Sequence, residues 1–139
     1  MAGSLTLRVI TPEHIALDTT CSSVSFPTID GSVGILKDHA PMVAAIGAGE
    51  LTFRDEGSQP QGLFVAGGFA EVRSNTVRLV TDVSEAPTDI DVERAKRAAE
   101  RAMKRLEMQQ SEGDALDLLR AQAALQRAIM RQQVASKYR

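Results

Sequence analysis

The strongest constraint on this chain is a change of composition across Glu85-Ala86-Pro87-Thr88-Asp89-Ile90-Asp91-Val92-Glu93-Arg94-Ala95. Nine of the ten glycines lie at or before Gly68, and Pro87 is the last of five prolines. Upstream, short β-branched and aromatic runs are punctuated by Gly, Pro and Ser. Downstream, the chain is almost unbroken Ala, Leu, Arg, Gln and Glu. So abrupt a switch predicts a β unit over residues 1–87 and an α unit over residues 88–139. Thr88 or Asp89 is placed to cap the free N–H groups of the first helical turn. Asp91 and Glu93 suit the positive end of the helix dipole.

In the β part, Leu5–Ile10, Cys21–Phe26, Val33–Leu36, Met42–Ile46, Glu50–Arg54, Gly62–Ala66, Phe69–Val72 and Thr76–Thr81 read as strands. Turns or loops fall at Thr11–His14, Pro27–Ser32, Lys37–Pro41, Asp55–Gln61 and Ser74–Asn75. Eight or nine short strands at this spacing predict an antiparallel β-sandwich or flattened barrel, and the absence of βαβ alternation argues against a Rossmann-type sheet.

From Asp89 the period becomes helical. Ile90, Ala95, Ala98, Ala99, Ala102, Met103 and Leu106 fall near one face, and Glu93/Arg97 and Glu100/Lys104 are favourable i,i+4 pairs. Gln109–Asp114 breaks the helix, with Gly113 as its stop. A second helix carries Leu118, Ala121, Leu125, Ala128 and Ile129 at roughly heptad spacing. The fold class is therefore α+β, a sandwich followed by an antiparallel two-helix hairpin. Alanine stripes bury little area, so the hairpin is expected to keep its helices but to dock weakly, as a mobile arm on a rigid body.

Composition narrows the function. Trp is absent, aromatics reach 4%, and the net charge is −2, which leaves neither stacking platforms nor a basic field for nucleic acid. Residues 1–88 carry five Lys and Arg against ten Asp and Glu, whereas residues 89–139 carry eleven against eight. The arm is thus the cationic half, with an acid-free tail at Arg127, Arg131, Lys137 and Arg139. The single cysteine, Cys21, excludes an internal disulfide, suits a reducing compartment and reads as a small buried residue. No run approaches the length of a membrane span. Met1-Ala2-Gly3-Ser4 has no signal or transit character, so a soluble protein of bacterial or organelle-encoded origin is expected.

Candidate chemistry is sparse. His14 and His39 sit in separate turns without metal-ligand spacing, and no nucleophile is paired with a base. Gly67-Gly68 suits a tight strand connection better than a phosphate cradle. Asp38-His39 reads as a turn more readily than as an acid–base pair. Arg94 and Arg101 share a helix face, as do Arg127 and Arg131. On a folded hairpin these faces can converge on one anion, a task for which the planar guanidinium is suited, although a solvated charged face is the commoner meaning of such a pattern.

Four segments together resemble one family. They are Val9-Ile10-Thr11-Pro12-Glu13, Gly31–Pro41 (Gly-Ser-Val-Gly-Ile-Leu-Lys-Asp-His-Ala-Pro), Gly67-Gly68-Phe69-Ala70-Glu71-Val72 and the two-helix tail. In this order and spacing they resemble the epsilon subunit of bacterial and chloroplast F-type ATP synthases, called delta in mitochondria. Only Lys37-Asp38 departs, where Pro-Gly or Pro-Asn is commoner. The resemblance implies a non-catalytic rotor subunit whose sandwich binds the gamma shaft and rests on the ring of c subunits. It also implies a C-terminal hairpin that extends toward the alpha and beta catalytic subunits and restrains ATP hydrolysis. No nucleic acid is involved, and the subunit is peripheral to the cytoplasmic face of a bacterial plasma membrane.

Some members of the family bind regulatory ATP through an Ile/Leu-Asp-x-x-Arg-Ala motif, present here as Ile90-Asp91-Val92-Glu93-Arg94-Ala95. By that resemblance Glu85, Asp91 and Arg94 contact the base and ribose side or order the loop, and Arg101, Arg127 and Arg131 neutralise phosphates. Apart from this ATP, no cofactor or metal is implied. The family's ring contact falls on Ile29, Asp30 and Gly31 and on the His39 turn, at one end of the sandwich. The rival readings are a free-standing nucleotide sensor and a small β-sandwich enzyme, the latter opposed by the missing catalytic cluster.

Overall fold

The computed structural model describes residues 3–112 and 115–138. It divides after Ala86 into two units.

The first unit holds ten strands: β1 (Leu5–Ile10), β2 (Ile15–Cys21), β3 (Ser23–Thr28), β4 (Gly31–Leu36), β5 (Met42–Ala45), β6 (Gly49–Arg54), β7 (Gln61–Ala66), β8 (Phe69–Arg73), β9 (Thr76–Val80) and β10 (Val83–Glu85). They form two five-stranded sheets, ordered β2-β1-β9-β8-β5 and β10-β7-β6-β3-β4. Strand pairs are antiparallel except β1 with β9, which run parallel from Thr6 opposite Thr76 to Ile10 opposite Val80. Alternation along the core strands β1, β3, β6 and β9 sends one side chain in two inward. Leu5, Leu7 and Val9 of β1, Val24 and Phe26 of β3, Leu51 and Phe53 of β6, and Val77 and Leu79 of β9 fill the core. Each large aliphatic or aromatic side chain buried there stabilises the sandwich by about 1.5–3 kcal/mol.

Two expectations are corrected in this unit. Cys21–Phe26 is not one strand, because Cys21 ends β2 and Ser22 breaks the run by donating both its backbone N–H and its hydroxyl to the Arg54 carbonyl, each at 3.0 Å. The loop expected over Pro27–Ser32 shrinks to Ile29-Asp30, since Pro27 pairs opposite Ser32 and Thr28 opposite Gly31. The Thr28 hydroxyl closes that turn, donating to the Gly31 carbonyl at 2.6 Å and accepting the Asp30 N–H at 3.2 Å.

The close Gly67-Gly68 connection is present. Both glycines have positive φ (76° and 91°), and a Cβ on Gly68 would overlap the Val80 carbonyl oxygen. Thr81, 1% exposed, ties this corner together. Its hydroxyl lies 3.0, 2.8 and 3.1 Å from the carbonyls of Ala66, Gly67 and Val83. At the other end of the sandwich, Asp38 and Asn75 clasp two turns. Asn75 Oδ1 accepts the Asp38 N–H at 2.7 Å, and Asn75 Nδ2 donates back to the Asp38 carboxylate at 3.3 Å.

The second unit begins with a 3-10 turn at Pro87–Asp89, which packs against α2, and continues as α1 (Val92–Glu112) and α2 (Ala115–Tyr138). Asp91, rather than Thr88 or Asp89, caps α1: its carboxylate accepts the Arg94 N–H at 3.0 Å and its carbonyl the Ala95 N–H at 3.0 Å. Pro87 fixes φ for the 3-10 turn, and this turn absorbs Thr88 and Asp89 before the α-helix starts. The helix persists through Gln109–Glu112, so the expected break is shorter than Gln109–Asp114; the proposed stop, Gly113, lies outside the described residues.

Ala95, Ala102, Ala121, Ala128, Val134 and Ala135 are buried, whereas Met103 and Ile129, both expected on apolar faces, are 52% and 41% exposed. Glu93 lies 3.6 Å from Lys96, and not beside Arg97 as the i,i+4 spacing suggested.

Candidate functional site

The residues singled out for anion binding fall on the helical hairpin, apart from Glu85. That residue ends β10, is half-buried, and belongs to the first unit. Within the Ile90–Ala95 segment, Ile90 is 2% and Ala95 4% exposed, so both carry packing. The Asp91 carboxylate is spent on the helix start, as the capping bond shows. The Arg94 side chain is exposed.

Among the described residues, clefts open between α1 and α2 at two levels. One, of about 210 Å³, is lined by Ala98, Arg101, Ala102 and Arg105 of α1 and by Ala121 and Ala124 of α2. Alanines on both helices leave the space, and two guanidiniums supply its charge. Among the described residues neither Arg101 nor Arg105 has a carboxylate within salt-bridge distance. The other, an open groove of about 640 Å³, lies between Val92 and Lys96 of α1 and Gln132, Gln133, Ser136 and Lys137 of α2.

Arg127 and Arg131, expected to join Arg101, line neither cleft. They are half-buried on the stretch of α2 between the two levels. Arg105 lines the cleft although the sequence pattern does not single it out. It stands one helical turn beyond Arg101, a spacing that was available but carried no meaning until the alanines of α2 were seen opposite.

Small-molecule and cofactor pockets run from about 300 to 1,000 Å³. The Arg101–Arg105 cleft, at about 210 Å³, lies below that range, and the groove at Val92 and Gln132 lies within it.

The positions expected at the ring contact are divided by the fold. Ile29 and Asp30 precede β4, Gly31 opens it, and His39 follows it. Gly31 and Leu36, the ends of β4, stand roughly 17 Å apart at strand rise. Ile29, 71% exposed, is anchored through its N–H to the Ala45 carbonyl at 3.1 Å. His39 is held by its N–H to the Leu36 carbonyl at 3.2 Å, with Nδ1 2.7 Å from the Ala40 carbonyl oxygen. The Asp38 carboxylate is engaged by Asn75 and not by the imidazole, so no acid–base pair forms there. Among the described residues no group of three or more His, Cys, Asp or Glu is gathered to hold a metal ion, and no helix is long and apolar enough to cross a membrane.

Comparison with known proteins follows the same division. The model for the ATP synthase delta/epsilon chain β-sandwich domain matches residues 4–87, and that for the delta/epsilon chain long α-helix domain matches residues 88–136. The ATP synthase epsilon chain of Moorella thermoacetica is 40% identical over 129 residues, covering 93% of this chain and 94% of its own. That of Symbiobacterium thermophilum is 41% identical over 130 residues, covering 93% and 91%. A chain in the mitochondrial ATP synthase structure of Euglena gracilis (OSCP, F1 and c-ring) shares the fold. Its TM-score is 0.80 and its identity 21%, over 98% of this chain and 82% of that one. With both domain models matched in order and relatives near 40% identity along nearly its whole length, this chain belongs to the ATP synthase delta/epsilon chain family.

Proposed function

We propose that this chain is a non-catalytic subunit of the rotor of an F-type ATP synthase, coupling the gamma shaft to the ring of c subunits. Its helical hairpin restrains ATP hydrolysis by the alpha and beta subunits and takes regulatory ATP when folded. The observation that carries the reading is the pairing of the two matched domains with ATP synthase epsilon chains over more than nine-tenths of both chains. The alanine interface supports the regulatory part, because a hairpin held by small side chains separates at little cost in buried area. Ring contact is assigned to Ile29, Asp30 and Gly31, where an exposed isoleucine offers an apolar anchor. The His39 turn, at the far end of β4, makes a separate contact.

The test is ATP hydrolysis by the cognate catalytic hexamer with its shaft, supplemented with the whole chain or with a chain ending at Pro87. Inhibition by the whole chain alone places the brake in the hairpin. Equal inhibition by both moves it into the sandwich. Failure of either to bind the shaft overturns the proposal. ATP binding is tested separately by titration, in which Arg94→Ala is expected to abolish affinity while leaving the circular dichroism spectrum intact; unchanged affinity rejects the motif's role.

A further inference from the structure

We propose that the outer face of strands β4, β3 and β6 holds a binding site for a small aliphatic carboxylate, with Arg54 and Ser23 taking the carboxylate and Leu36 the hydrocarbon chain. The inference concerns the sandwich alone and does not rest on the rotor reading.

The site follows from register. Leu36 of β4, Ser23 of β3 and Arg54 of β6 are partners in one row across three strands, and Gly34, Ser25 and Thr52 make a second row on the same face. The residues between the rows, Ile35, Val24 and Phe53, are buried in the core, so both rows point outward. The second row is made of small residues. It lies lower than Leu36 and Arg54 and, with Pro60 at the side, leaves a trough of about 410 Å³, within the range of small-molecule sites.

Gly34 lies at the floor of this trough. Its φ is outside the left-handed region and a Cβ built on it meets nothing within 4 Å, so neither the backbone nor a neighbour requires glycine there. Glycine weakens a strand interior, and one without a conformational reason marks a place where a ligand comes close to the backbone.

The polar groups are divided so that two remain for a ligand. The Ser25 hydroxyl is 3.2 Å from that of Ser32, and the Thr52 hydroxyl donates to the Gln61 carbonyl at 3.2 Å. Among the described residues, Ser23 and Arg54 have no side-chain hydrogen bond or ion pair. As cross-strand partners their Cβ atoms stand about 4.5–5.5 Å apart, so guanidinium N–H groups and one O–H can converge on a single carboxylate. Leu36, 65% exposed, stands on the other side of Ser23, roughly 10 Å from Arg54 at two strand spacings. A cation at one end and an exposed aliphatic side chain at the other select a carboxylate on a short hydrocarbon chain. Among the described residues that line the trough there is no carboxylate to draw a cation.

The experiment follows backbone amide shifts of the full, isotope-labelled chain at neutral pH and constant ionic strength. Hexanoate is the probe; acetate, which lacks the chain, and hexanol, which lacks the charge, are titrated separately. Hexanoate is expected to give saturable shifts at Ser23, Gly34 and Arg54, with acetate and hexanol each binding at least about tenfold more weakly. Arg54→Gln is expected to weaken hexanoate about tenfold, the loss of one charge-assisted contact, and to leave hexanol unchanged. Gly34→Val fills the trough with a residue that suits a strand, and is expected to abolish binding without lowering the unfolding midpoint.

Unsaturable hexanoate shifts, or affinity unaltered in both Arg54→Gln and Gly34→Val, overturn the site. Acetate binding as tightly as hexanoate removes the role of Leu36, and hexanol binding as tightly removes that of Arg54; either result overturns the assignment of ligand class. A peptide ending in a free leucine carboxylate that binds where hexanoate does not transfers the trough to a polypeptide partner and overturns the small-acid assignment.

Discussion

The carboxylate of Asp91 accepts the backbone N–H of Arg94 at 3.0 Å, so the two charged residues of the motif that frame α1 are joined through the helix start and not through their side-chain charges. Asp91→Ala is expected to destabilise the hairpin by about 0.5–2 kcal/mol, the usual worth of an N-cap. Asp91→Asn keeps the cap and removes the charge. Melting of both variants, followed by ATP titration, separates the two roles. An Asn variant that melts like the parent but binds ATP poorly assigns the charge to the ligand, whereas Ala and Asn melting alike would contradict capping.

Thr81 is the polar centre of the sandwich corner. Its single hydroxyl proton serves a cluster of three carbonyls, and its backbone N–H donates to the Ile10 carbonyl at 2.9 Å. Thr81→Val preserves the shape and strips the donor, and is expected to cost about 1–3 kcal/mol in urea unfolding. Thr81→Ser should lose much less. A Val variant as stable as the parent would show that these carbonyls find other partners.

Gly68 and Gly57 both have positive φ, 91° and 78°, but only Gly68 faces an obstacle, the Val80 carbonyl; a Cβ on Gly57 meets open space. Gly57→Ala therefore carries the backbone penalty alone, about 1 kcal/mol, and Gly68→Ala carries more than that. Unfolding free energies measured side by side give the difference. Equal losses would mean that the corner shifts to accommodate the methyl group.

Cys21 ties the core to pH. Burial first, then the Asp55 carboxylate, push its thiol up, against a hydrogen bond with the Ser23 backbone that lowers it. A raised folded pKa means that the folded chain holds the thiol proton more tightly than the unfolded chain. That stabilisation is complete below the unfolded thiol's pKa and is lost as pH rises through the folded value. The parent is therefore expected to lose stability in the alkaline range faster than Cys21→Ala. Parallel pH profiles would remove the thiol from the account.

The two-unit plan was legible because composition changes at Pro87 and because core strands such as Leu5–Ile10 and Glu50–Arg54 alternate cleanly. Strand β2 was missed because Ile15-Ala16-Leu17-Asp18-Thr19-Thr20 lies at a sheet edge. Edge residues are exposed or half-buried on both faces and need no alternation. The choice among Thr88, Asp89 and Asp91 as helix cap could not be read locally, since all three are good caps and only the 3-10 turn after Pro87 decides. Arg101 was found from its seven-residue spacing to Arg94. Arg105 was not, because its meaning comes from Ala121 and Ala124, which lie on the other helix. The resemblance groups Ile29 and His39 on loops at one end of the sandwich; the six-residue strand β4 between them puts them at opposite ends of that strand.

The alanine seam of the hairpin also bears on register. Large side chains fix how two helices align, because a shift lifts a knob out of its hole. Along Ala98, Ala102, Ala121 and Ala124 every knob is a methyl group, so sliding one helix past the other brings another methyl to nearly the same place. Toward the other end Val134 is fully buried and the 3-10 turn packs on α2, which pins the alignment there. The hairpin is thus a pair of rods indexed at one end only, with shear along its axis as the soft direction.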